Sequence, residues 1–327
     1  MSTTEAPPLD ETRANQLASA FLAIRDNIQR VVRGKQQVVE QVVLCLVSGG
    51  HLLVEDVPGV GKTTLAKALG ASIGAKMGRI QFTPDLLPAD VTGVSVWNRT
   101  SSTFEFRPGP IFTELVLADE INRASPKTQA ALLEAMAESQ VTVDGTTRPL
   151  PNPFMVVATQ NPVEQEGTYP LPESQLDRFL MKISVGYPAR ADELQILETH
   201  EADGLVDQLQ PVANLSDVIA IHRLVKAVHI APELRNYLID MADATRRHPA
   251  VALGMSPRAT LSLQRVARAK AASQARTFVT DDDIKSVAAA VISHRLILRP
   301  EAALQGTDTD SIVADILRSV PVPYDRR

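Results

Sequence analysis

The sequence predicts an α/β chain in which a parallel sheet carries the chemistry and a smaller all-helical domain follows. Three observations support this. The apolar runs Leu52–Val54, Leu115–Ala118, Phe154–Ala158 and Leu180–Val185 are continuous, as strands buried on both faces must be. Stretches of helical periodicity alternate with them, the pattern of a parallel sheet covered by helices. After Gly186-Tyr187-Pro188 the strand signal stops and helical stretches alone remain.

Composition permits this fold and removes other classes. The 327 residues suit two domains of ordinary size. At 44% hydrophobic and 22% charged the chain has ample apolar material for a core, and with only 4% aromatic residues that core falls to Leu, Val, Ile and Ala. A net charge of −5 provides no basic field for nucleic acid. Cys45 is the single cysteine, so no intrachain disulfide is possible, and a reducing, cytoplasmic setting is expected. Ser2–Arg13 lacks the basic-then-apolar pattern of a secretory leader. The most apolar stretch, Val38–Val54, is broken by Glu40, Gln41 and Ser48-Gly49-Gly50, so no stable membrane insertion is expected. The six histidines show no zinc spacing.

In chain order, residues 1–13 are expected to be disordered. Ala14–Val32 reads as an amphipathic helix with Leu17, Phe21, Ile24, Ile28 and Val32 on one face. Arg33-Gly34-Lys35 interrupts the pattern, and a helix resumes over Gln36–Leu46. The strand at Leu52–Val54 runs into Glu55-Asp56-Val57-Pro58-Gly59-Val60-Gly61-Lys62-Thr63-Thr64, where Pro58, Gly59 and Gly61 end it. Leu65, Ala66, Leu69 and Ile73 then recur at helical spacing. A glycine-rich loop opening a helix is an anion site, because its N–H groups lack chain partners and the helix dipole favours negative charge. Lys62 reaches terminal phosphates and the Thr63 hydroxyl suits Mg²⁺. The strict pattern G-x-x-x-x-G-K-[ST] asks for glycine at 56, and the chain has Asp56.

Residues 78–110 read as a hairpin inserted between core elements, with Val91–Trp97 and Thr103–Phe106 as its strands around Asn98–Ser102. The strand Leu115–Ala118 ends on Asp119 and Glu120, where open α/β sheets place ligands. Asp119 is suited to hold hydrated Mg²⁺ and Glu120 to polarise an attacking water. Ser125-Pro126 opens a helix as N-cap and first helical residue, after Arg123, which is either a phosphate or interface residue or a surface ion pair. A second hairpin turns at Asp144-Gly145. The strand Phe154–Asn161 ends on Asn161, placed to hydrogen-bond the water or the γ-phosphate. Glu164–Pro172 reads as a loop. Arg178, before the strand Leu180–Val185, is expected at the far edge of the sheet from its own phosphate loop, a position suited to a neighbouring subunit's nucleotide.

Six helices are expected beyond the boundary: Ala191–His200, Ser216–Val228, Ala231–Arg247, Pro257–Ala275, Asp281–Leu298 and Thr309–Ser319. Thr280-Asp281-Asp282-Asp283 reads as an N-cap with acids complementing the dipole rather than as a metal site. Arg258, in the first turn of its helix, runs against the dipole and points to a phosphate.

Taken together, these segments resemble an AAA+ ATPase, and more closely the MoxR family. The resembling stretches are Glu55–Thr63, Gln81–Pro88, Ala118–Ala124, Ala158–Pro162, Gly167–Glu173, Leu176–Phe179 and Gly254–Ala259. The family's usual Glu-Asp-x-Pro-Gly pattern shares the Asp56 departure. The resemblance implies an αβα sandwich of the P-loop AAA+ type over 14–187, with the 78–110 hairpin as its insert and 188–327 as helical lid. It implies ATP and Mg²⁺, with Asp56, Val57, Pro58, Gly59, Val60, Gly61, Lys62, Thr63, Thr64 and Asp119 around the nucleotide and Thr63 and Asp119 at the metal. Glu120, Asn161, Arg178 and Arg258 take the catalytic and sensing roles; Arg123 and Arg258 remain candidates beside Arg178 for the arginine that acts across subunits. A ring, commonly a hexamer, is implied, acting as an ATP-driven chaperone in maturation or metal-cofactor loading of protein clients, with a von Willebrand factor A domain protein as partner. Competing readings are a nucleotide-gated scaffold with little hydrolysis, a nucleic-acid motor, disfavoured by the acidic charge, and a small-molecule kinase.

Overall fold

The computed structural model describes residues 9–162, 167–199 and 202–323. The expected disorder of residues 1–8, the start of the Glu164–Pro172 loop and His200 lie outside these. The chain divides into two compact units, one of residues 23–179 and 183–219, the other of residues 1–22, 180–182 and 220–327.

Helix α1 (Glu11–Gln29) opens the described chain, and Asp10 caps it, its Oδ1 accepting the N–H of Arg13 at 2.8 Å. The helix therefore begins three residues before the expected Ala14, because an aspartate precedes it. Leu17, Phe21, Ile24 and Ile28 are buried as their spacing requires. In the first unit α2 (Gln36–Val47) leads to β1 (Leu52–Glu55), α3 (Lys62–Ser72), β2 (Met77–Gln81) and the short α4 (Pro88–Thr92). Val91 and Thr92, expected in a strand, close this helix: Pro88 starts it and Asp90 Oδ2 accepts the Leu87 N–H at 2.9 Å. The hairpin is β3 (Gly93–Asn98) against β4 (Thr103–Pro108). Phe106 anchors it by an edge contact with Phe112 and by Arg148, whose guanidinium lies 3.9 Å over the ring. Trp97 and Phe104 pair edge-to-face at 5.1 Å and are 49% and 71% exposed.

Strand β5 (Leu115–Asp119) precedes α5 (Pro126–Glu138), whose cap Ser125 accepts from Thr128 N–H as the sequence indicates. Strands β6 (Gln140–Val143) and β7 (Thr146–Pro149) turn through Asp144 and Gly145, both at positive φ, the two-residue hairpin turn. Then come β8 (Met155–Gln160), α6 (Glu173–Leu176) and β9 (Met181–Ile183). The sheet order is β2-β5-β8-β1-β9, and the pairs β2–β5, β5–β8 and β8–β1 are parallel. The strand after Arg178 is an edge strand, as expected, but it lies beside β1 rather than across the sheet from it.

Helices α7 (Arg190–Thr199), α8 (Ala202–Asp207) and α9 (Leu215–Ala227) follow. The units part between Ile219 and Ala220, beyond the expected boundary at Gly186–Pro188, because the intervening chain packs back on the first unit. Val212 N–H donates to Ser72 O at 2.9 Å, and Asn27 Nδ2 donates to Gln210 O at 3.1 Å and Ser72 Oγ at 3.0 Å.

The second unit holds α10 (Pro232–Arg247), β10 (Val251–Leu253), α11 (Pro257–Ser273), α12 (Asp281–Ile292), β11 (Ile297–Leu298), α13 (Pro300–Leu304) and α14 (Thr309–Ser319). From Ala220 on, its described residues form helices and the antiparallel pair β10–β11; α12 ends at Ile292, and a 3-10 turn (Ser293–Arg295) and β11 take the residues expected to extend it to Leu298. Thr280 and Asp283 form a capping box, and Arg276 closes on Asp283, so the aspartates serve the helix as expected. Among the described residues no helix is long and apolar enough to cross a membrane.

Candidate active site

The site is built where β1, β5 and β8 end. Past β1 the chain turns through Gly59 (φ +85°) and Gly61 (φ +88°), left-handed backbone that strains any side chain. A Cβ at either would meet nothing within 4 Å, so the space above the loop is open, as a phosphate requires. No side chain caps α3 at Gly61, which leaves its first-turn N–H groups for an anion. Lys62 Nζ rests on the carbonyl of Asp56 at 2.6 Å.

At the end of β5 stand the two acids. Glu120 adopts φ 55°, ψ 50°, a left-handed conformation that costs a non-glycine residue about 1–2 kcal/mol. It is pinned by its neighbour strand: Glu120 N–H donates to Thr159 Oγ1 at 2.9 Å, and that hydroxyl donates to Asp119 Oδ1 at 2.6 Å. Parallel register sets this up, since Ala118 faces Ala158 and the next residues are Asp119 and Thr159. On the other side Gln81 of β2 faces Asp119. Arg79 donates to Asp119 Oδ2 at 2.9 Å and to Gln81 Oε1 at 3.1 Å, while Gln81 Nε2 donates to Glu120 Oε2 at 3.0 Å. Arg123 reaches the same Glu120 oxygen at 3.1 Å. The buried Asn161 lies just past β8, and its carbonyl accepts from Asn122 Nδ2 at 3.4 Å.

These ends face one cleft of about 340 Å³, lined by Pro58, Gly59, Gly61, Lys62, Thr63, Thr64, Asp119, Glu120 and Asn161. Most of the residues expected around a nucleotide are therefore brought together. Val57 and Val60 lie in the loop but do not line the cleft. Asp56 does not line it either: its carboxylate is committed to the backbone and side chain of 184–186 and so cannot face a ligand. Arg178 donates to the Leu133 carbonyl and is not in the cleft. Arg258 lies on α11, in the other unit, and is exposed.

Thr63 and Asp119 offer a hydroxyl and a carboxylate, hard oxygen donors suited to Mg²⁺. Among the described residues no three His, Cys, Asp or Glu side chains cluster as an all-protein metal site. Mg²⁺ ordinarily takes one or two carboxylates plus substrate phosphates, so the residues present fit an ion that arrives with a nucleotide.

Sequence reasoning missed Thr159, Arg79 and Gln81. Thr159 carries a signal, a polar residue inside an otherwise apolar buried strand. Arg79 and Gln81 share one face of β2 by alternation, but only the register shows that this face meets the acids.

Comparison with known proteins agrees with this geometry. Residues 51–181 match the family model described as ATPase family associated with various cellular activities (AAA), and residues 243–316 match the AAA lid domain. The uncharacterized protein YeaC of Bacillus subtilis is 50% identical over 92% of this chain and 94% of its own. Chaperone MoxR1 of Mycobacterium tuberculosis is 37% identical, covering 98% of this chain and 86% of its own. A crystal structure of a putative ATPase from Cytophaga hutchinsonii superposes with a TM-score of 0.89 at 39% identity, over 96% of this chain and 98% of that one.

Proposed function

The chain belongs to the MoxR family of AAA+ ATPases, and we propose that it hydrolyses ATP with Mg²⁺ as a ring of identical subunits, commonly six, coupling turnover to remodelling or cofactor-loading maturation of a protein client. The observation that carries this is the single cleft in which an uncapped helix start and two open glycines face an Asp–Glu pair and an asparagine. In this reading the loop N–H groups and Lys62 hold the phosphates, and Thr63 and Asp119 hold the ion, which neutralises charge on the phosphate oxygens. Glu120 takes the proton of the attacking water and Asn161 orients that water.

The ring is proposed from the family, and an arginine from a neighbouring subunit would complete the cleft. Its lining in this unit contains no arginine, and Arg178 is turned to Leu133. An arginine supplied in trans is worth about 10³–10⁵ in rate, and Arg123, Arg178 and Arg258 are the candidates to supply it. A protein client is supported by the relative named a chaperone; a von Willebrand factor A domain protein as partner and a cytoplasmic setting complete the proposal.

A second reading has one observation in its favour. Glu120 is held by Gln81 and Arg123, as in a nucleotide-gated scaffold that barely turns over. Turnover measured against protein concentration, with light scattering on the same samples, separates the two. Specific activity that rises as a ring assembles is the expected result. Constant activity in a persistent monomer overturns the shared site, and near-zero activity in an assembled ring favours the scaffold.

A further inference from the structure

Asp56 stands where the strict phosphate-loop pattern has glycine, and its side chain is fully used. The residue is 8% exposed. Its Oδ2 accepts three bonds from the chain just past β9: the Ser184 hydroxyl at 2.8 Å, the Val185 N–H at 2.7 Å and the Gly186 N–H at 2.6 Å. Its Oδ1 accepts the Val57 N–H at 2.8 Å. Consecutive backbone N–H groups converging on one oxygen form an anion nest, occupied here by the protein's own carboxylate. The backbone of Asp56 binds in two further directions. Its N–H donates to Gln160 O at 3.0 Å, next to Asn161, and its carbonyl takes Lys62 Nζ at 2.6 Å. One residue further on, the nest segment is gripped again, where Lys35 Nζ donates to Tyr187 O at 2.6 Å.

We propose that Asp56 is a positioning residue that ties the phosphate loop to segment 184–187, so that phosphate on the loop and order in that segment rise together. The coupling runs through the carboxylate: a phosphate that fixes the loop fixes Asp56, and with it the acceptor that Ser184, Val185 and Gly186 share. A glycine at 56 would leave those donors without their charged acceptor. The proposal rests on the cleft being a nucleotide site.

The test uses the full chain with a fluorescent ADP and Mg²⁺, together with hydrogen–deuterium exchange of the peptide spanning 184–187. In the wild type, ADP slows exchange at Val185 and Gly186. Asp56→Gly restores the strict loop pattern, yet it is expected to weaken ADP about tenfold or more, the scale of a lost charged hydrogen bond, and to abolish the ADP-dependent slowing. Asp56→Asn keeps the shape with a neutral acceptor and falls between the two, while Ser184→Ala, which removes one donor, retains the coupling. Wild-type affinity in Asp56→Gly, or undiminished slowing in Asp56→Asn, overturns the proposal. Should Asp56→Gly fail to fold, Asp56→Asn and Ser184→Ala decide it. A wild-type chain that binds no ADP overturns the nucleotide reading itself, and the coupling with it.

Discussion

The two ends of the cleft are prepared differently. At the end of β1 the phosphate loop is open: glycines with space above them, helix N–H groups without a side-chain cap, and one lysine on a backbone carbonyl. At the end of β5 every carboxylate is engaged, Asp119 by Arg79 and Thr159, Glu120 by Gln81 and Arg123. The anion side is preformed, and only Lys62 has to move. The acid side must exchange partners before an ion or a water can use it. Magnitudes indicate how firmly. Arg79 and Arg123 are 53% and 43% exposed, and ion pairs of that exposure contribute about 0–1 kcal/mol. Micromolar nucleotide binding is worth about 8 kcal/mol. On the nucleotide reading these arginines would be placeholders that neutralise adjacent acids, weak enough for the Mg²⁺ of a bound nucleotide to displace.

The sharpest way to separate the two ends is Glu120→Gln. Only the acid end loses its chemistry, so ATP affinity should persist while turnover falls by about 10²–10⁴. Rapid-quench turnover beside equilibrium nucleotide binding measures both. Wild-type turnover would move the base elsewhere; lost binding would show that the ends are not separable.

What was legible in the sequence divides along the same line. The loop Pro58–Thr63 and the pair Asp119–Glu120 could be read because each is contiguous and its chemistry needs only its neighbours in the chain. Thr159 could not, because its role depends on β8 lying beside β5 in one register. The work of Asp56 was hidden too: Ser184, Val185 and Gly186 lie 128 to 130 residues away, and no local pattern joins them. The edge position of the strand after Arg178 could be read, but its place beside β1 could not, since nothing local joins the two strands. Local signals failed only where two competed. Val91 and Thr92 alternate like strand residues, but Pro88 and the Asp90 cap start a helix that takes them first.

A second test concerns the preformed end and its pH dependence. Burial pushes the Asp56 carboxyl up, but hydrogen bonds from Gly186, Ser184, Val57 and Val185 outweigh this and hold it below the ordinary aspartate value. A depressed folded-state value means that the carboxylate stabilises the fold above its unfolded value of about 3.9 and that this contribution is lost as pH falls through the folded one. Asp56→Asn should therefore cost about 1–3 kcal/mol at neutral pH, the range for a charged hydrogen bond lost in a buried site. Urea denaturation from pH 8 downward should show that gap constant to about pH 5 and closing below about pH 4. A gap that already closes between pH 7 and 5 would mean that another group, not Asp56, titrates.

The smallest expected effect bears on the placeholder argument itself. Arg79 holds Oδ2 of Asp119, the carboxylate that would ligate the ion, and is a cation competing with a cation. If it contributes only what an exposed pair does, Arg79→Ala should tighten Mg²⁺-dependent ADP binding by no more than about fivefold and leave metal-free ADP binding unchanged. Fluorescent ADP titrated with and without Mg²⁺ reads both quantities on one sample. The sign matters more than the size. Weaker binding in both conditions would mean that Arg79 turns to the phosphates once they arrive, and the acid end would then be part of the anion site. Weaker binding with Mg²⁺ alone would mean that the arginine orders Asp119 for the ion, holding it with Thr159 as a shell and not as an occupant. Only a modest gain confined to Mg²⁺ keeps the two ends as different as their hydrogen bonds make them.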